Sequence, residues 1–154
     1  MRTLLLAGAA LLIAGCSTDP MNQPAMLRAS MTGIQEVPGP GDSDGYGTAE
    51  IRVVPITGQV CWNLYARSID PATAAHIHRG SEGVAGPVVL MLSPPDASGH
   101  SQGCATVGVA LAREIATQGY LFYANVHSAA FPNGAIRGQL RGGPASRETP
   151  RPAM

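Results

Sequence analysis

Apolar and polar residues alternate along most of this chain in short runs, and a period of two marks β-strands rather than helices. Alternation predicts strands at residues 26–37, 46–54 and 59–66, the last with Val60, Trp62 and Leu64 on one face. The first ends at Pro38-Gly39-Pro40-Gly41, which cannot continue a ladder, and 42–45 turns the chain. A short turn at 55–58 joins the next two as an antiparallel hairpin. Residues 73–78 predict a further strand, followed by a glycine-rich loop at 80–86. The continuous apolar run at 87–92 reads as a fully buried strand, 93–99 as loop, and 102–107 as a short strand carrying Cys104. Leu111 and Ile115 at helical spacing, with Gly119 as the stop, predict one helix over 110–118. Strands at 119–127 and 135–141 close the series, joined by a turn with Asn133-Gly134 at its tip. Seven or eight short strands at this spacing predict an all-β sandwich or barrel, the helix covering an open end.

The first fifteen residues read differently. Arg2, the apolar run at 4–14 and the small residues before Cys16 have the form of an export signal, too short to cross a bilayer. Ile13-Ala14-Gly15-Cys16 resembles the bacterial lipobox. That resemblance implies cleavage before Cys16, acylation of this cysteine and anchorage in a membrane. Ser17 in place of Asp implies the periplasmic face of the outer membrane. An ordinary secretory signal followed by an incidental cysteine is the alternative. Residues 16–25 then form a tether, 26–141 the domain, and 142–154 a disordered tail of Gly, Pro, Arg and Ser.

Removal of the signal leaves about 139 residues, enough for one domain with a single core. All ten basic residues are arginines and ten acids balance them, so nucleic acid is not an expected partner. Cys61 and Cys104 would meet an oxidising compartment, which predicts a disulfide. Closing that loop would stabilise the fold by roughly 4 kcal/mol. Two separate buried thiols are the alternative; neither cysteine has a partner at metal-ligand spacing.

Three of the four histidines fall in two of the strand segments. His76 and His78 share a face opposite Ile77, and Asn125 and His127 share a face opposite Ala124 and Val126. In the final strand Ile136 and Leu140 face the core, which turns Arg137 and Gln139 outward. If these strands are neighbours, His76, His78, Asn125, His127, Arg137 and Gln139 form a polar patch on the outside of a sheet. Three imidazoles suit copper or zinc. The same residues also suit a structural network that fixes strand register, and the Arg137 charge raises the cost of adding a cation. His100, in a glycine-rich loop, reads as a solvated surface residue, and Trp62 as core. No acid is placed to orient a histidine, so a hydrolytic triad is not expected.

Gln35-Glu36-Val37-Pro38, Gly47-Thr48-Ala49, Ala75-His76-Ile77-His78, Gly86-Pro87-Val88-Val89, Asn125-Val126-His127-Ser128 and Pro132-Asn133-Gly134-Ala135-Ile136-Arg137-Gly138-Gln139-Leu140 closely resemble the motifs of the CHRD family, in order, from about Leu27 to Arg141. The resemblance implies an antiparallel, Greek-key-like β-sandwich, immunoglobulin-like or superoxide-dismutase-like. It implies no particular enzymatic activity, and Glu36, whose motif accompanies that of Arg137 in the family, is the expected pairing partner for Arg137. A shorter likeness, His-x-His followed by Gly with a later strand histidine, resembles the copper strand of Cu,Zn superoxide dismutase. The bridging histidine and the zinc cluster of that enzyme are missing, since loop 80–86 offers Glu82 as its single acid. The expectation is a cell-envelope lipoprotein acting as a binding module, for a copper or zinc ion or for a protein partner. A copper-dependent redox enzyme is the competing class.

Overall fold

The computed structural model describes residues 19–144. The export segment, Cys16 and tail residues 145–154 lie outside the described residues. Nine strands occur among the described residues: β1 (Ala25–Thr32), β2 (Tyr46–Val54), β3 (Gln59–Arg67), β4 (Ala72–Arg79), β5 (Val88–Leu92), β6 (His100–Thr106), β7 (Phe122–Ser128), β8 (Ile136–Gln139) and β9 (Arg141–Pro144). The helix α1 (Val109–Thr117) connects β6 to β7.

Period-two alternation is what buries β1, β2 and β3. Ala25, Leu27, Ala29 and Met31 face Ala49, Ile51 and Val53, then Val60, Trp62, Leu64 and Ala66, while the intervening residues face out. Trp62 fits because β6 carries Gly103 beneath its ring, where a Cβ would collide with the indole. The indole N–H donates to Ser101 Oγ at 3.3 Å. Ala112, Ile115 and Ala116 of α1 complete the same core, and Glu114 pairs with Arg79 of β4. Where the sequence reading has tether, Asn22 Oδ1 accepts a hydrogen bond from Arg113 Nε at 3.1 Å, which ties the approach to β1 onto the helix.

All strand pairs are antiparallel, in the order β5-β4-β7-β8-β1-β2-β3-β6. β8 and β9 keep one register against β1 and are interrupted at Leu140, whose N–H donates to the Phe122 carbonyl at 2.9 Å. The two edges approach each other: Ser101 Oγ of β6 donates to the Ser93 carbonyl just beyond β5, at 2.6 Å. The result is a single, nearly closed, barrel-like antiparallel sheet with one short helix, which agrees with the all-β expectation. Cys61 and Cys104 face each other directly across β3 and β6 and form the disulfide.

Several boundaries move, each for a local reason. The first strand stops at Thr32, because Gly33 turns against the Asp42 backbone and its carbonyl accepts from Gly41 N–H at 2.8 Å. β5 is an edge strand rather than a fully buried one: it pairs with β4 alone, Met91 is 65% exposed, and of its five residues only Leu92 is buried. β7 starts at Phe122, after a 3-10 turn over Gly119–Leu121. Gly142, Gly143 and Pro144, assigned from sequence to the tail, pair with Leu27, Met26 and Ala25.

Candidate functional site

β4, β7 and β8 lie side by side, so register decides which polar side chains meet. His76 pairs with Asn125 and Asn125 with Arg137; one step along, His78 pairs with Tyr123 and Tyr123 with Gln139. His127 sits opposite Ala74 on the same face. The six patch residues named from alternation are therefore brought together, with Tyr123 among them. Tyr123 was missed, although it lies two residues before Asn125 on the same face.

The patch is on the outer side of the sheet but is not open to solvent. Asn125, Arg137 and Gln139 are 3%, 2% and 7% exposed. Their cover is loop 80–87, folded back by Arg79 N–H donating to the Pro87 carbonyl and Gly80 N–H to that of Leu121. Gly86 lies so close to the Arg79 carbonyl that no side chain would fit there. The loop then offers its own carbonyls to the patch. Arg137 Nη2 donates to those of Ser81 and Val84 at 3.1 and 3.0 Å, and Gln139 Nε2 to that of Gly80 at 2.8 Å. The Arg137 guanidinium lies 3.4 Å from the Tyr123 ring centroid, a cation–π contact. The His78 ring stacks on Tyr123 at 4.7 Å and 8°. Because β4 and β8 flank β7, the two reach opposite faces of the phenol.

The three imidazoles are half-buried, with one ligand nitrogen of each within 4.8 Å of the others. Their tautomers follow from their partners. His78 Nδ1 lies 2.8 Å from the Gly86 carbonyl and His127 Nδ1 3.0 Å from that of Pro132. A carbonyl can only accept, so both Nδ1 atoms carry a proton, and a neutral ring so oriented presents its lone pair at Nε2. His76 Nδ1 lies 3.1 Å from His127 Nε2. His78 Nε2 and Asn125 Oδ1 are buried with no hydrogen-bond partner among the described residues. Burial, then the neighbouring His127 and His78, lowers the His76 pKa; burial also lowers that of His78, against the hydrogen bond to Gly86. Among the described residues this is the one group of three or more His, Cys, Asp or Glu side chains close enough to hold an ion.

Glu36 closes the far side. The loop after β1 brings it in through Asp42 N–H, which donates to the Ala135 carbonyl at 2.9 Å. The carboxyl rests on Gly134, where a Cβ would strike it, so two of the motifs touch. Burial raises the Glu36 pKa to about 7, despite the Arg137 charge and a backbone hydrogen bond from Val37. Glu36 and Arg137 do not form an ion pair among the described residues; Glu36 Oε1 and Arg137 Nη1 both lack a partner there. His100 also departs from the sequence reading. It opens β6, is half-buried, stacks on Tyr65 at 4.7 Å and donates from Nε2 to Asn63 Oδ1 at 2.7 Å.

Compared with known proteins, the chain matches the family model described as the CHRD domain over residues 27–140. No curated protein and no solved structure matches it.

Proposed function

The chain belongs to the CHRD domain family, and from that premise we propose a binding module of the cell envelope that holds one copper or zinc ion at His76, His78 and His127. One observation carries the reading: backbone carbonyls orient His78 and His127 so that both present Nε2, and the His78 Nε2 is buried without a partner. Carbonyl-held imidazoles are the usual arrangement around a protein-bound metal. Ligands of a tetrahedral ion at about 2.0 Å stand roughly 3.4 Å apart, so a small side-chain closure of the present spacing suffices. His76 would give up its contact with His127 and contribute the third nitrogen, leaving a fourth position open. The Arg137 charge opposes the ion, but its guanidinium lies beyond the Tyr123 ring, and the nearby Glu82 carboxylate offsets part of it.

Titrating the purified protein with copper(II) and with zinc(II) tests this. One equivalent should bind with Kd below about 1 μM, and His76→Ala or His127→Ala should weaken binding at least about tenfold. His100→Ala should have no effect. Equal losses from all three variants, or no binding of either metal in that range, would leave the face a structural polar network. Copper binding without consumption of superoxide would dispose of the redox-enzyme reading and retain a carrier or sensor.

Two finer assignments belong to the same proposal. The crossovers from β3 to β4 and from β5 to β6 support a Greek-key sandwich of the immunoglobulin or superoxide-dismutase kind, its edges drawn together. The lipobox-like tetrapeptide supports acylation at Cys16 and attachment to the outer membrane. Cys16→Ser should then move the protein from the membrane to the soluble fraction.

A further inference from the structure

Away from the histidines, the outer face of β1, β2 and β3 forms the floor of an open groove of about 800 Å³. Its central row is short: Ser30 pairs with Thr48 and Thr48 with Tyr65. The flanking row is charged but self-neutralised, since Arg28 Nε donates to Glu50 Oε1 at 2.9 Å. At one end Arg141 and Glu82 pair at 2.7 Å, again without net charge. At the other end stands Tyr65, 43% exposed. His100 covers one face of its ring from β6 and is itself held by Asn63. Because β2 lies on the other side of β3, the second face of the ring turns toward Thr48 and the groove. The wall beside Ser30 includes Gln139, whose amide nitrogen is committed to the Gly80, Tyr120 and Phe122 carbonyls. Its Oε1 is buried with no partner among the described residues.

We infer that this groove binds an uncharged oligosaccharide. The chemistry of its lining selects that class. A sugar ring presents a C–H face that packs on an aromatic ring and hydroxyls that exchange hydrogen bonds with Ser, Thr, Asn and Gln side chains. The braced ring of Tyr65 supplies the first, ordered before the ligand arrives. Ser30, Thr48 and Asn63 supply the second. A polyanion finds no net positive charge there. A polypeptide finds no free strand edge, because β1, β2 and β3 are each paired on both sides. The groove has no histidine in its lining, so it stands or falls separately from the metal site.

The test uses the purified full chain and five probes: the hexasaccharides of β-1,4-glucose, β-1,4-N-acetylglucosamine and α-1,4-glucose, with heparin and unfolded casein as the charged and polypeptide alternatives. At least one hexasaccharide should bind by calorimetry with Kd below about 1 mM. Tyr65→Ala should weaken it at least about tenfold and Tyr65→Phe should retain it. His100→Ala should weaken sugar binding while leaving metal binding intact. Thr48→Arg, on the exposed floor, should abolish it with the melting temperature preserved. No hexasaccharide binding in that range, binding indifferent to Tyr65 and Thr48, or Thr48-sensitive binding of casein or heparin in its place would each overturn the inference.

Discussion

Burial acts in opposite directions on the ionisable groups of the covered face. It holds Glu36 protonated up to about pH 7, and it holds His76 and His78 neutral below the ordinary histidine range. Glu36 thus favours the folded state most below its unfolded pKa of 4.5, and that contribution is lost as pH rises through about 7. The histidines act the other way: as pH falls through 6.5 the unfolded chain takes up their protons first, and the fold loses stability. Glu36→Gln, which keeps the shape and removes the charge, should flatten the first slope. Relative to the parent it should gain on the order of 2 kcal/mol between pH 5 and pH 8 in denaturant unfolding. An unchanged slope would mean that the carboxyl meets more solvent than its 5% exposure indicates.

At the scale of elements, β6 is an edge strand tied to β3 by the Cys61–Cys104 bridge as well as by its ladder. The bridge closes a sequence separation of 43 residues, so reduction should lower the melting temperature by roughly 10 °C or more. An unchanged melting curve in strong reductant would show that the ladder alone suffices. Much of this level was readable in the sequence. Alternation gave the faces of β4, β7 and β8, and through them the meeting of His76, His78 and His127. The remainder depended on contacts that alternation does not encode. The apolar run of β5 has the same composition at an edge as in a core, and only the missing neighbour distinguishes them. His100 finds Asn63 across a ladder, 37 positions away. Loop 80–87 covers the patch through backbone carbonyls, which every residue possesses, so its glycines indicated a turn but not a lid.

At the scale of the molecule, the curled sheet separates two interiors of unlike chemistry: an apolar core inside, and a polar layer roofed by two loops outside. β8 is the strand they share, and all four of its residues are buried. Ile136 fills the core; Arg137 and Gln139 hold the roof. Gly138 faces the Ser30 carbonyl so closely that a Cβ would collide with it. The consequence concerns how far this chain can vary. β1 alternates buried with exposed positions and can absorb change at Met26, Arg28 and Ser30, whereas 136–139 offers no neutral position. A library of single substitutions sorted for protease resistance should be depleted at all four of these sites and nearly flat at those three. Equal depletion in both segments would show that one interior, not two, governs what the sequence may become.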